Sequence, residues 1–221
     1  LRWNYLLFGV KYCHMNVYFV RHGESEGNKK KFHQGDEVSL SKKGFAQANA
    51  VARRLKNIDI DLIYSSPYLR ARQTASIIAC ELGLPIKFWD QLRELKRPSE
   101  LEGLEYTDPK AIAIKEIIKK NQIKPDWRYS DDESFSDLMA RAEKVEKRLI
   151  SRHCGQNVLC VTHIQIMVMI IMKIIMQEKL TPEVFWQFYY HCRQENTGIT
   201  QLEYTPTSGW NLVTWNDTSH L

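Results

Sequence analysis

Four short segments of this chain carry side chains able to hold and transfer an anion. The first is Arg21-His22-Gly23-Glu24-Ser25, at the end of the apolar run Val17–Val20. An arginine presents a planar fork of donors suited to phosphate oxygens, and a histidine can attack phosphorus or carry a proton. Gly23 beside them permits close approach of backbone. In the second segment, Ser65-Ser66-Pro67-Tyr68-Leu69-Arg70-Ala71-Arg72-Gln73-Thr74-Ala75, a cation stands where a helical pattern begins. The helix dipole opposes positive charge there, so Arg70 points to an anion bound nearby. The third, Leu92-Arg93-Glu94-Leu95, supplies a carboxylate, and the fourth, Val158–His163, ends in a second imidazole.

Each group needs an element to position it. Short apolar runs predict strands at Val17–Val20, Leu62–Tyr64, Ile86–Phe88, Val158–Val161, Thr200–Tyr204 and Leu212–Trp215. Helical spacing predicts helices from Lys42 to about Asn57 behind a Ser41 cap, from Leu69 to Leu82 with Gly83 as its stop, and from Ser134 to about Arg152. Gln165–Gln177 is the most apolar stretch, but Lys173 interrupts it and it is too short to span a bilayer. It reads as a buried helix whose methionines fill gaps in the core. Strands alternating with helices argue for an α/β layered sheet, and parallel strands would bring all four groups to one edge.

Segment 96–132 breaks the alternation. It holds Pro98, Gly103, Pro109 and Pro125 around one helical patch, Lys110–Lys120. It reads as an excursion over the sheet edge, where substrate selectivity would reside. Residues 1–14 read as an upstream extension, with Met15 the expected start, so the domain proper is 15–221.

Composition narrows the partners. A chain that is 43% hydrophobic and 26% charged is that of an ordinary soluble globular protein, here read as cytoplasmic and without membrane association. The net charge of +5 is spread without a long basic stripe, which favours small anionic substrates over nucleic acid. Five cysteines, odd in number and widely spaced, read as reduced thiols. No pair of them has the spacing of a structural zinc site, so no metal is expected.

Taken together, the four segments resemble the histidine phosphatase superfamily, also called the phosphoglycerate mutase-like family, in its phosphatase branch. The resemblance runs from Met15 to about Tyr204. It implies a three-layer α/β/α sandwich around a mostly parallel sheet and a metal-independent phosphomonoester hydrolase with no cofactor. Residue by residue, it implies that His22 is the phosphorylated nucleophile and that Arg21, Arg70 and His163 complete a phosphate pocket. Glu94 matches the family's proton donor, Asn28 a pocket asparagine, Gln34-Gly35 a substrate-edge position, and Asn196–Thr200 a turn into a late strand. The expected substrate is a small phosphorylated molecule. The chain departs from the pattern at Ile164, where the family has glycine. A β-branched residue resists positive φ, so the turn after His163 must use ordinary helical angles.

The chemistry is coherent on its own terms. Arg21 and Arg70 can hold a phosphate bidentately, and a protonated His163 would add charge-assisted stabilisation. Glu94 would protonate the leaving alkoxide and then activate water.

Other readings compete. Gly23-Glu24-Ser25-Glu26-Gly27 matches a serine-esterase elbow in form, but that elbow needs a helix directly after the serine, and Asn28-Lys29-Lys30-Lys31 makes no convincing one. A mutase would need a more elaborate pocket than Leu95-Lys96-Arg97-Pro98 offers. A phospholigand-binding module without catalysis would lack the nucleophile or the acid, and both are present. His33 reads as a solvated loop residue and Lys29–Lys31 as a solvated run.

Overall fold

The computed structural model describes residues 13–221, so most of the expected extension lies outside the described residues. In chain order the elements are β1 (Met15–Arg21), α1 (Glu26–Lys30), α2 (Lys42–Leu55), β2 (Leu62–Ser65), α3 (Leu69–Leu82), β3 (Ile86–Phe88), α4 (Pro109–Asn121), α5 (Phe135–Arg152), β4 (Asn157–Thr162), α6 (Ile164–Met176), α7 (Pro182–His191), β5 (Ile199–Thr205) and β6 (Gly209–Asp217). The sheet order is β3-β2-β4-β1-β5-β6. The first four strands run parallel, and the β5–β6 hairpin adds to β1 antiparallel. All six expected strands form.

Both faces of the sheet are covered, as the apolar strand runs require. Alternate residues of β1 divide between two cores. Met15, Val17 and Phe19 join Leu138, Val145 and Leu149 of α5 and the apolar side chains of α6. Tyr18 and Val20 join Val51 and Leu55 of α2 and Ala71, Ala75 and Ile78 of α3. This is the expected three-layer sandwich. Helix α6 is buried on nearly every side, and Lys173 is accommodated there by an ion pair with Glu146 of α5.

Two helices depart from expectation. Ser25 caps α1 in a reciprocal capping box with Asn28, so the lysine run begins inside a five-residue helix after all. Helix α7 was readable from Thr181-Pro182-Glu183, a threonine cap, a proline at the first helical position and an acidic first turn.

The cysteine reading is also corrected. A disulfide joins Cys13 to Cys154, whose Cα atoms lie 5.0 Å apart. The two are separated by 141 residues in sequence, but each directly precedes a strand of the parallel β1–β4 pair, where Asn16 faces Asn157. Parallel pairing brings both strand starts to one end of the sheet. Cys80, Cys160 and Cys192 are free. No helix among the described residues is long and apolar enough to cross a membrane.

Candidate active site

The opposite end of the sheet gathers the chemistry, and strand register does the gathering. Arg21 pairs with Thr162, and Ser65 pairs with Val161. His22, Ser66 and His163 therefore leave three neighbouring parallel strands within a step of one another. The His22 and His163 ring centroids are 5.0 Å apart. Beyond β3 a single tight turn, Asp90–Leu92, leads the chain back to place Glu94 against the start of α6.

His22 is buried, and its Nδ1 lies 2.7 Å from the Gly23 carbonyl oxygen. A carbonyl only accepts, so Nδ1 carries the proton and Nε2 keeps its lone pair for attack. Burial, then the charges of Arg70 and Arg21, push this imidazole well below its ordinary pKa. The backbone here is fixed from both sides. Asn196 donates its Nδ2 to the His22 carbonyl at 2.8 Å, and the Gly23 amide donates to Thr74 Oγ1 at 3.1 Å. Gly23 is required by packing, because a Cβ there would stand 2.5 Å from the Gly44 carbonyl oxygen of α2.

The two arginines are held by backbone carbonyls. Arg21 Nη1 donates to the Gln194 carbonyl at 2.5 Å, and Arg70 Nη1 to the Gly35 carbonyl at 2.8 Å. The Nε atoms of both arginines and His163 Nδ1 are buried without a hydrogen-bond partner. Two arginine N–H donors and an imidazole nitrogen left unpartnered beside His22 suit a bound anion, since buried polar groups are otherwise nearly always paired.

His163 is fully buried, and its Nε2 lies 2.7 Å from Ser66 Oγ. Burial first, then Arg70, His22, Arg21 and Arg141, hold its pKa well below the ordinary value. Desolvation and like charge from two guanidiniums thus oppose the protonated form of His163, the condition under which charge-assisted stabilisation was expected of it.

Glu94 caps α6. Its Oε1 accepts from the amides of Leu95 at 2.9 Å, Gln165 at 3.1 Å and Ile166 at 3.3 Å, while Oε2 makes one longer contact, 3.4 Å from the Gln165 amide. Ile164 is the first residue of α6 and is not among the positive-φ residues, so the expected helical angles hold. Arg141 of α5, buried, secures the Glu94 segment by donating to the carbonyls of Gln91, Arg93 and Glu94 and to Glu133.

The remaining expected site residues lie one layer out. Asn28 Oδ1 accepts from the Ser25 amide in the α1 cap. Gln34 Oε1 accepts from Ser25 Oγ at 2.6 Å. Gly35 serves through the carbonyl that holds Arg70. His33 is not a solvated residue: it is half-buried, edge-on to Tyr106 at 4.9 Å, and its backbone pairs with Gly103 and Leu104 of the excursion. Sequence reasoning missed Ser66, Thr74 and Arg141. A buried-face position on α5 was the available signal for Arg141; Ser66 and Thr74 carried none beyond the motif around them.

The fold and this edge place two imidazoles and two guanidiniums together at the C-terminal ends of parallel strands, a constellation suited to phosphoryl transfer. Comparison with known proteins gives the family. Residues 17–218 match the histidine phosphatase superfamily (branch 1). A Salmonella arizonae protein described as a probable phosphoglycerate mutase is 29% identical over 216 residues, covering 94% of this chain and 95% of its own. Its Escherichia coli counterpart is 30% identical over 215 residues, with the same coverage. Among solved structures, a phosphoserine phosphatase from Entamoeba histolytica, in complex with phosphoserine, superposes with a TM-score of 0.76 at 24% identity, covering 94% of this chain and 99% of that one. A mycobacterial glucosyl-3-phosphoglycerate phosphatase gives a TM-score of 0.77 at 24% identity, with 92% and 99% covered. The chain belongs to the histidine phosphatase superfamily. Its activity class is accordingly that of the histidine phosphatases.

Proposed function

We propose that this phosphatase acts on small phosphorylated carboxylic acids through a phosphohistidine on His22, with Glu94 as general acid and then general base. The observation that carries the reading is the set of three buried, unpartnered donors, Arg21 Nε, Arg70 Nε and His163 Nδ1, around a histidine whose Nε2 is unprotonated. His22 Nε2 forms the P–N bond in line as the ester P–O bond breaks. The arginines and His163 hold the non-bridging oxygens, whose charge is best stabilised by donors fixed beforehand. Glu94 keeps Oε1 in the α6 cap, so Oε2 is the atom that carries the proton to the leaving oxygen. The same oxygen then takes a proton from the water that cleaves the P–N bond, regenerating His22 and releasing phosphate.

The acid moiety is argued from the wall of the site. Tyr106 and Tyr189 each lie in the field of both Arg21 and Arg97. Arg97 is half-buried and stands 5.8 Å from the Trp186 ring. A cation placed one tyrosine beyond the phosphate cradle suits a second anionic group on the substrate. The two phosphatases above take their names from phosphoserine and glucosyl-3-phosphoglycerate, both phosphorylated acids.

The curated relatives' description as mutases supports a second reading, in which the phosphate returns to the acid. One experiment separates the two. The enzyme, in chelator, is mixed with 3-phosphoglycerate or phosphoserine, and phosphate release, positional isomers and acid-labile phosphoenzyme are measured by rapid quench. Phosphate release with a transient phosphoenzyme that His22→Ala abolishes supports the hydrolase. Isomerisation without release favours the mutase.

A further inference from the structure

The geometry points to Ser66 as the residue that fixes His163 in its working form: its hydroxyl donates to His163 Nε2, locking a neutral imidazole whose Nδ1–H faces the phosphoryl group. The inference rests on the phosphatase reading above and adds a positioning residue to it.

The argument starts from hydrogen-bond capacity. A serine hydroxyl has one proton and two acceptor lone pairs. Ser66 Oγ has two neighbours among the described residues. The Tyr68 amide, which can only donate, lies at 3.3 Å, and His163 Nε2 lies at 2.7 Å. The amide occupies a lone pair, so the serine proton is free for the histidine. Were Nε2 protonated, Ser66 Oγ would face two N–H groups, and its own proton, fully buried, would have no acceptor among the described residues. That arrangement leaves a buried donor unsatisfied, at a cost of about 1–3 kcal/mol. The serine thus selects the tautomer with the proton on Nδ1, the nitrogen that is buried and unpartnered.

The ring is also held in orientation. Tyr68 meets it edge-on at 5.2 Å, and its Nε2 is pinned at the end of a strand whose neighbour, β4, delivers the ring itself. One tripeptide, Ser66-Pro67-Tyr68, therefore clamps His163 at its Nε2 and at one side. The charged groups acting on the ring, Arg70, Arg21 and Arg141, together with His22, all oppose a second proton. In the reaction, Nδ1–H donates a hydrogen bond to a non-bridging oxygen while the P–O bond to the leaving group breaks and the P–N bond to His22 forms. No proton leaves His163, so its contribution needs the tautomer and not the charge.

The test uses the full chain with 15N-labelled histidine, His163→Gln serving to assign the resonance. The expected wild-type spectrum shows His163 with a protonated Nδ1 and a bare Nε2 throughout neutral pH. Ser66→Ala should mix the tautomers and lower kcat on p-nitrophenyl phosphate by about 10- to 100-fold, less than loss of a whole oxyanion donor. KM should move little. Ser66→Thr, which keeps the hydroxyl, should restore the tautomer and most of kcat. A wild-type His163 protonated on Nε2 overturns the inference. So does a Ser66→Ala enzyme that keeps both tautomer and kcat. Because the wild-type spectrum alone decides the tautomer, a poorly folding variant leaves the test intact. A wild type with the expected tautomer but no activity on any phosphoester would sink the proposed function and leave the tautomer assignment standing.

Discussion

The phosphate cradle and the 96–132 excursion sit side by side and are built on different principles. The cradle is made from strand ends. Its charged groups are buried or half-buried, its arginines are held by main-chain carbonyls, and its two histidines are each oriented by a single hydrogen bond. The excursion is made from a separate small cluster, Leu101, Ala111, Ile114 and Ile118, with Leu104, Trp127 and Tyr129 against it. Its surface carries ion pairs such as Lys96–Asp131 and Lys110–Glu100. A register error in the sheet would dismantle the first. The second can vary without touching the sheet. On the function proposed above, chemistry falls to the strand ends and selectivity to the excursion.

The sharpest way to break this division is to remove the nucleophile. His22→Ala should lower turnover of every phosphoester by at least about 10³-fold, because the residual cradle can bind but cannot form the P–N bond. Loss on one substrate only would place part of the chemistry outside the cradle. The same residue makes a pH prediction. Burial and the two arginines lower its pKa, so it stays unprotonated as pH falls through its ordinary value near ~6.5. The nucleophile should therefore remain competent below that pH, and histidine resonances of the free enzyme should show no His22 titration there. A titration near the ordinary value would mean that the ring is far more solvated than its burial shows.

Next in size is Glu94→Gln. The amide can still accept in the α6 cap through one oxygen but has no proton of carboxylic acidity to give. Alkyl phosphates, whose leaving alkoxide needs that proton, should lose about 10²- to 10⁴-fold. p-Nitrophenyl phosphate, with a stable leaving group, should lose markedly less in the phosphorylation step. Equal losses on the two would assign Glu94 a positioning role.

How much of this was legible before the structure follows from the same division. Cradle residues lie next to strands short enough to read as apolar runs, so Arg21, His22, Arg70, Glu94 and His163 were all named from sequence, and the edge brings them together. The surroundings of His163 were not legible, because its contact with Ser66 and its burial arise only from pairing register. Asn28 and Gln34 sit at expected positions, but their carboxamide oxygens are engaged by Ser25, a local hydrogen-bond choice that sequence spacing does not report. The Cys13–Cys154 link was hidden for the reason that made the site visible: parallel strands gather their starts as well as their ends. In the excursion the helix was legible, at Lys110–Lys120 against an observed Pro109–Asn121, but the packing of His33 on Tyr106 was not.

The excursion side of the comparison is sharpened by Arg97→Gln. If Arg97 meets the substrate's carboxylate, KM for phosphorylated acids should rise about 10-fold, the worth of one charge-assisted hydrogen bond. p-Nitrophenyl phosphate, which lacks the second anion, should be unaffected. A uniform change on both substrates would move Arg97 into the cradle.

The smallest catalytic effect is expected from the largest packing defect outside the sheet. Ile114 is 3% exposed and sits at the middle of the excursion cluster. Ile114→Ala removes buried methyl and methylene groups and leaves a cavity, a change that costs about 2–5 kcal/mol in a well-packed core. That cost falls on a cluster separate from the two that flank the sheet. The variant should therefore be cut by protease within 96–132 well before the rest of the chain, while kcat on p-nitrophenyl phosphate stays within about twofold, since independent sites add rather than couple. KM for phosphorylated acids should drift upward as Tyr106 and Arg97 lose their support. If global unfolding and kcat fell together instead, the excursion would be part of the same cooperative unit as the cradle. Selectivity and chemistry would then have to evolve as one.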